Sequence, residues 1–176
     1  EYSREIPEAE KKKYVAVIGA GPAGIVAAET LIKRGHAVDL YERREIGGSI
    51  VPGSKPKIKY ELDNYLTYLY NVVEKLKENE DFTFIKGNAQ AESLKAKDYD
   101  AILVATGTKQ LKPKITGLDT AKVHFAIEVL KNPSLVRDAR TIIVVGGGVV
   151  GAETAYYLKY ELNKDVKLIE MDKYII

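Results

Sequence analysis

A short pattern of apolar residues followed by glycines occurs twice in the chain. The stretch VAVIGAGPAG begins at Val15, the stretch IIVVGGGVVG begins at Ile142, and the two align without a gap at an offset of 127 residues. In each copy the β-branched apolar run predicts a strand buried on both faces, and the glycines predict a turn into a helix. A further strand, HAVDLYE or VKLIE, follows each helix. The repeat therefore predicts an α/β fold with two βαβ units, each a parallel sheet with flanking helices.

Each glycine of the repeated turn has its own mechanical role. The first permits the tight bend out of the strand, the second lets the backbone approach a pyrophosphate, and the third lets the helix pack close to the strand. The N-terminus of the following helix offers unpaired N–H groups and a positive dipole end to phosphates. Two dinucleotide sites are therefore predicted, and their glycines are Gly19, Gly21 and Gly24 in the first copy and Gly146, Gly148 and Gly151 in the second.

An acidic residue about 20 positions beyond the turn is the second requirement of such a site, because its carboxylate accepts hydrogen bonds from ribose hydroxyls. Glu42 and Glu170 end the second strand of each copy and meet this requirement. A carboxylate repels a 2′-phosphate, so Glu170 favours NAD(H) over NADP(H), although Lys173 is close enough to weaken that preference. Glu42 suits the adenosine ribose of FAD, and Arg43 either lies against the adenine or belongs to a solvated basic corner.

The rest of the chain contains one amphipathic helix, over residues 60 to 78, and two strands, FTFIKG and DAILVATG. The second strand is apolar throughout, which predicts a place in the interior of the parallel sheet. A Pro-, Gly- and Lys-containing segment follows at residues 108 to 118 and predicts a domain boundary. The predicted organisation is a linker at 1–13, a first nucleotide-binding domain at 14–110 and the start of a second at 111–176.

Composition excludes several classes of function. The formal net charge of +2 gives no field that would select nucleic acid or an anionic membrane, and the absence of Cys excludes disulfides, thiol nucleophiles and Cys-ligated metals in these residues. We predict no metal site. No apolar run is long enough for a membrane helix, and no signal pattern begins the chain. We therefore expect a cytoplasmic protein that binds neither membranes nor nucleic acid.

The motifs VAVIGAGPAG, LYERREIGGS, AILVATGTK and IIVVGGGVVGAETA, in this order and spacing, resemble the flavoproteins that hold FAD and a nicotinamide nucleotide in two duplicated domains. Within that superfamily, REIPEAEKKKYVAVIGAGPAG resembles the C-terminal region of the old-yellow-enzyme-related NADH:flavin oxidoreductases, which include 2-enoate reductase, 2,4-dienoyl-CoA reductase and trimethylamine dehydrogenase. The resemblance implies a Rossmann-like two-dinucleotide-binding flavoprotein fold whose second domain is incomplete.

The resemblance also implies roles for residues at matching positions. The first turn would meet the FAD pyrophosphate, and its residues are Gly19, Gly21, Pro22, Ala23 and Gly24. Glu42 and Arg43 would contact the adenosine of FAD, and Gly48 with Ser49 would contact the stretch nearer the flavin. Ala105, Thr106 and Gly107 would run past the FAD at the crossover into the second domain. The second turn would meet the pyrophosphate and ribose of the nicotinamide nucleotide through Gly146, Gly148, Val149, Val150, Gly151 and Glu170. Glu153 either lies near the nicotinamide or is an exposed acid of the first helical turn.

By the same resemblance, the family's FMN and iron–sulfur cluster would belong to an upstream barrel, and neither could bind to these residues. The chain would then be a fragment of an NADH-dependent flavin oxidoreductase that passes hydride from NADH to FAD. Electrons would continue to the barrel, which reduces an activated C=C bond of a 2-enoate or enoyl-CoA type substrate bound outside this fragment. No residue here is assigned a catalytic role.

Two alternatives stay open. One is a stand-alone NADH oxidase or ferredoxin reductase of the same superfamily, and the other is a non-catalytic nucleotide-binding module. We also expect exposed apolar surface on the second sheet, which leaves self-association into a homo-oligomer open.

Overall fold

A computed structural model describes residues 6–111, 113–119 and 122–175; residues 1–5 of the predicted linker lie outside this range. The chain divides into two compact units. The first consists of Glu1–Val51 and Asn64–Lys109, and the second of Pro52–Asp63 and Gln110–Ile176. The predicted α/β class is confirmed, since the described strands form parallel sheets with helices between them.

The first unit contains a four-stranded parallel sheet. Its strands are β1 (Tyr14–Ile18), β2 (Ala37–Glu42), β3 (Phe82–Lys86) and β4 (Ala101–Val104), in the order β3-β2-β1-β4. The two central strands are buried on both faces, as their apolar runs predict: Val15 to Val17 and Val38 to Tyr41 are each at most 5% exposed.

Four helices follow one another along this part of the chain: α1 (Pro22–Lys33), the single turn α2 (Ile50–Gly53), α3 (Tyr60–Leu76) and α4 (Ala91–Ala96). A 3-10 turn at Lys57–Lys59 lies in the segment Pro52–Asp63, which belongs to the second unit. Pro22 occupies the first turn of α1, where its missing N–H costs nothing, and Gly35 reverses the chain beyond the helix with φ +82°. The amphipathic α3 buries Leu69, Val73 and Leu76 against the same core as Ile25 of α1.

The opposite face of this sheet holds a buried carboxylate. Asp39 of β2 is 3% exposed, and its Oδ2 accepts hydrogen bonds from Tyr14 Oη at 2.8 Å, Tyr99 Oη at 2.5 Å and Lys97 Nζ at 2.6 Å. Burial alone would raise the pKa of Asp39, but the hydrogen bonds from Lys97, Tyr99 and Tyr14 together outweigh burial and lower it. This network ties the connection between α4 and β4 to the central strands.

The expectation that DAILVATG lies inside the sheet is wrong for the described residues. β4 is an edge strand that pairs with β1, and all four of its residues are exposed, with Val104 at 69%. An apolar run indicates that a strand is suited to burial on both faces. It does not indicate which segments of the chain pack on those faces or on the edge of the strand.

The second unit contains a parallel pair, β5 (Thr141–Val145) and β6 (Asp165–Ile169). Its helices are α5 (Ala126–Lys131) and α6 (Val149–Tyr156), with a 3-10 turn at Pro133–Val136 and a π-helical turn at Tyr157–Glu161 that continues α6. One face of the pair packs on Val129, Val136 and Leu158.

The other face of this pair is open and carries three large apolar side chains beside Thr141, Asp165 and Lys167. Ile143 is 57% exposed, Val145 65% and Ile169 52%, because helices of the described residues pack on one side of the two strands. The expectation of exposed apolar surface on the second sheet is therefore confirmed. None of the helices in the described part of the chain is long and apolar enough to cross a membrane.

Replacing Asp39 with Asn tests the buried network. Asn cannot match the charge-assisted bonds to three donors, so we expect a loss of about 2–4 kcal/mol in the free energy of unfolding at pH 7, measured by urea denaturation. Because hydrogen bonding lowers the folded-state pKa of Asp39, the contribution is complete above its ordinary pKa and is lost as pH falls through the folded-state pKa.

The matched control is Asp81→Asn, which removes an exposed ion pair with Lys12 and should cost less than about 1 kcal/mol. Equal destabilisation by the two substitutions, or an Asp39→Asn cost that stays constant down to pH 2, would contradict this account of the network.

Candidate functional site

The first glycine turn, residues 19–24, is closed by backbone contact. Gly19 has φ +108°, and a Cβ on Gly24 would overlap the carbonyl oxygen of Gly19. The helix that follows therefore begins directly against the strand, which is the packing role predicted for the third glycine. The first intrahelical bond runs from Ile25 N to Gly21 O at 3.0 Å, so the N–H groups of Ala23 and Gly24 precede it and point out of the helix end.

The second turn, residues 146–151, repeats this geometry. Gly146 has φ +103°, and a Cβ on Gly151 would overlap the carbonyl oxygen of Gly146. Ala152 N donates to Gly148 O at 2.9 Å, which leaves the N–H groups of Val149, Val150 and Gly151 at the helix end. The two turns thus match in backbone as well as in sequence.

The middle glycine of each turn leaves its outer side open. A Cβ on Gly148 would meet nothing within 4 Å, and a Cβ on Gly21 would lie 3.8 Å from Gly48 Cα. Neither glycine has a positive φ: Gly21 has φ −82° and Gly148 has φ −66°. The fold itself therefore tolerates a larger residue at these positions, and a bound group that needs the space gives a reason for glycine.

Both predicted acids lie beside their turns. Glu42 accepts hydrogen bonds from Ala20 N at 2.9 Å and from Arg44 N at 2.6 Å. Glu170 accepts from Gly147 N, the residue equivalent to Ala20, and from Asp172 N at 2.9 Å. In each copy the carboxylate at the end of the second strand thus bonds to the amide directly after the first glycine.

These bonds keep Glu170 ionised. Backbone N–H donation by Asp172, Gly147 and Met171 lowers the pKa of Glu170, because each bond favours the charged form. At neutral pH the group beside the second turn is therefore an acceptor with a full negative charge.

The surroundings of the two turns differ. In the first unit, a Cβ on Gly19 would overlap Ala105 O, and Ala105 N donates to Ile18 O at 2.8 Å. Gly48, with φ +57°, brings a second loop close to Gly21. Around the second turn, a Cβ on Gly146 would meet nothing within 4 Å among the described residues. The first turn is thus enclosed by two further segments of the chain.

Glu153 is neither exposed nor in the first turn of α6. Its Oε2 accepts from Lys59 Nζ at 2.6 Å, and the two side chains are 28% and 24% exposed. Nearby, Lys57 N donates to Glu161 Oε1 at 2.8 Å. Two carboxylates of the helical segment after the second turn therefore bind the segment Pro52–Asp63 within the second unit.

The remaining predicted residues lie at the rims of these sites. Arg43 and Ser49 are exposed next to Glu42 and Gly48, and Thr106 and Gly107 are exposed beyond Ala105. Pro22 is half-buried at the start of α1. Both valines at the start of α6 are more than half exposed. The structure thus groups the predicted residues around two turns, one in each unit.

Sequence reasoning missed two features of these sites. The backbone amides of Ala20 and Gly147 orient the acids, and the offset of 127 residues already makes them equivalent. No local sequence pattern indicates that Lys59 pairs with Glu153, because the two residues are 94 positions apart in the chain. The described residues contain no group of three metal-binding side chains.

Comparison with known proteins shows the family of the chain. The model of the pyridine nucleotide-disulphide oxidoreductase family matches residues 13–176. An NADH oxidase from Thermoanaerobacter brockii is 37% identical over 95% of this chain and 26% of its own length. A cinnamate reductase from Clostridium sporogenes is 36% identical over 97% of this chain and 25% of its own length. The chain thus spans about a quarter of these curated relatives.

The solved structure of a 2-naphthoyl-CoA reductase in complex with 2-naphthoyl-CoA is similar to the chain with a TM-score of 0.87 and 32% identity, over 97% of this chain and 25% of that one. These relatives confirm the resemblance to the old-yellow-enzyme-related flavin oxidoreductases. FAD and NAD(P)H, predicted from the sequence, are the cofactors of such a domain. The chain belongs to the pyridine nucleotide-disulphide oxidoreductase family.

Proposed function

We propose that this chain is the dinucleotide-binding part of a larger NADH-dependent flavin oxidoreductase, with FAD at residues 19–24 and NADH at residues 146–151. The observation that carries the proposal is the duplicated turn, in which the same glycine packing and the same acid-to-amide bond occur twice. Both middle glycines leave room for a pyrophosphate against the backbone, so the residues fit the two cofactors.

The different surroundings support the assignment of FAD to the first turn. A cofactor that stays bound through many turnovers benefits from contacts beyond the pyrophosphate, and here Gly48 and Ala105 bring two more segments to that turn. The second turn is less enclosed, which suits a nucleotide that must enter and leave in every cycle.

The charge of Glu170 supports NADH over NADPH. Its carboxylate is ionised at neutral pH and lies beside the turn, where the adenosine ribose of a bound nucleotide is expected. A 2′-phosphate there would face a like charge, whereas a 2′-hydroxyl would donate to it. Lys173 follows three residues later and could reduce the discrimination.

When bound, FAD and NADH supply the hydride and electron chemistry. The contribution of the chain is to bind and orient them: helix N–H groups face the phosphates, the two acids accept from the riboses, and the closed turns hold these groups in place. The described residues offer no side chain positioned as acid, base or nucleophile, and we assign none.

For the complete protein, we propose that electrons pass from FAD to an FMN and iron–sulfur barrel that reduces an activated C=C bond. This part of the proposal rests on relatives named for cinnamate and 2-naphthoyl-CoA. Cinnamate carries a C=C bond conjugated to a carboxyl group, and 2-naphthoyl-CoA carries an aromatic ring conjugated to a thioester.

A second candidate function is that of an NADH oxidase. The NADH oxidase from Thermoanaerobacter brockii supports it, because its sequence identity to this chain is similar to that of the cinnamate reductase. The two candidates differ in the electron acceptor. Anaerobic NADH oxidation by the complete protein that depends on a 2-enoate identifies the reductase, and oxidation that depends on O₂ alone identifies the oxidase.

Substituting the middle glycines tests cofactor assignment without disturbing the fold. Both positions accept a Cβ sterically, so Gly21→Ala and Gly148→Ala should each change the free energy of unfolding by less than about 1 kcal/mol. Because the methyl group holds the pyrophosphate away from the helix N–H groups, Gly21→Ala should weaken FAD binding by about tenfold or more, and Gly148→Ala should do the same for NADH. Isothermal titration calorimetry measures both affinities.

Each variant is the control for the other, and Gly53→Ala, whose Cβ would make an ordinary 3.5 Å contact with Leu62, is a control outside both turns. Loss of both cofactors in both variants would indicate a general effect. Unchanged affinity in both variants would show that neither turn binds a pyrophosphate, and the assignment would be wrong.

Replacing Glu170 with Gln tests nucleotide preference. The amide keeps an acceptor but removes the charge, so we expect NADH to bind several-fold more weakly at pH 7 and the NADH-to-NADPH affinity ratio to fall by about tenfold. Glu74→Gln, at an exposed site of α3, is the charge-matched control. An affinity ratio that does not change in Glu170→Gln would remove Glu170 from the ribose site.

A further inference from the structure

An open surface cavity of about 480 Å³ lies at the amino-terminal ends of β5 and β6, and most of its charged lining residues are exposed. Its charged lining comes from the segment that enters β5, from the π-helical turn after α6 and from the segment that enters β6. These residues are Arg137, Asp138, Arg140, Lys159, Lys164 and Asp165. All of them belong to the second unit.

The charges around this cavity are unbalanced. Four cations face two carboxylates, and among the described residues Arg137, Arg140 and Lys159 form no ion pair. Lys164 Nζ donates to the carbonyl oxygen of Arg137 at 2.6 Å, which holds one ammonium group at the cavity wall. A concave surface with excess positive charge attracts anions, and two guanidinium groups favour phosphate because they can bind it through paired N–H donors.

The backbone of the lining residues is held in place. Asp165 N donates to Arg140 O at 2.9 Å, Lys164 N to Leu158 O at 3.0 Å and Arg137 N to Ser134 O at 3.1 Å. The segments that carry the charged groups are therefore fixed relative to one another by the start of the sheet. Ligand binding would therefore cost little conformational entropy of the backbone at this site.

The cavity is separate from the proposed NADH site. Residues 146–151 follow the carboxyl end of β5, whereas Arg140 precedes its amino end. Five residues at a rise of about 3.3 Å each place the two ends roughly 17 Å apart. An anion in the cavity is therefore not the pyrophosphate of the nucleotide at the second turn.

We propose that this cavity binds a nucleoside diphosphate. The cations would bind the phosphates, and the carboxylates of Asp138 and Asp165 would accept hydrogen bonds from the ribose hydroxyls. The volume lies in the range of small-molecule sites. Carboxylates in the lining disfavour a nucleic acid, which is bound through basic surfaces that follow its phosphates.

The test measures ADP binding to the chain by calorimetry, with saturating FAD and NAD⁺ present so that both glycine turns are occupied. We expect one ADP site, weakened about tenfold or more in Arg137→Gln and in Arg140→Gln. Lys131→Gln, at the exposed end of α5 and outside the cavity, should bind ADP as the unchanged chain does. Affinity for NADH should not change in any of the three variants, which separates this proposal from the proposed function.

A second readout needs no variant. In the unchanged chain, ADP should shift the backbone amide resonances of residues 137–140 and 163–165. Loss of ADP binding on saturation with FAD and NAD⁺, an equal loss in Lys131→Gln, or amide shifts confined to the glycine turns would each overturn the proposal. Pyrophosphate that binds as tightly as ADP would overturn the role of the nucleoside.

Discussion

In both halves of the chain, the carbonyl oxygen of one glycine occupies the space where the third glycine of the turn would carry a Cβ. This contact sets how closely each helix begins against its strand. The N–H groups at the helix start take their positions from it, and the amide directly after the first glycine holds the strand-end carboxylate beside the turn. The pyrophosphate sites that we propose therefore rest on a packing constraint rather than on charged side chains.

The duplication preserves this constraint but not its surroundings. Around the first turn, the loop at Gly48 and the strand end at Ala105 approach the glycines, and a buried carboxylate at Asp39 ties the connection to β4 onto the sheet. Around the second turn, the helix after the glycines binds the segment Pro52–Asp63 through Glu153 and Glu161. The two copies of the repeat thus differ in how far other segments enclose them, which suits the proposed resident FAD and exchanging NADH.

Local patterns predicted the features that depend on neighbouring residues. The strands, the starts of α1 and α6, the glycine turns and the acids follow from spacings of about 20 residues or fewer, and the structure places each acid beside its turn. The edge position of β4 and the pairing of Lys59 with Glu153 depend on segments far apart in sequence, and no periodicity reports such contacts. The cavity at the start of β5 and β6 arises in the same way, from loops that the strand pairing brings together.

The most direct measurement of the central claim is a backbone amide NMR titration of the chain with each dinucleotide. We expect FAD to shift the resonances of residues 19–24 with Glu42 and Gly48, and NADH to shift those of residues 146–151 with Glu170. Perturbation of the same turn by both dinucleotides, or of neither turn by either one, would contradict the central claim.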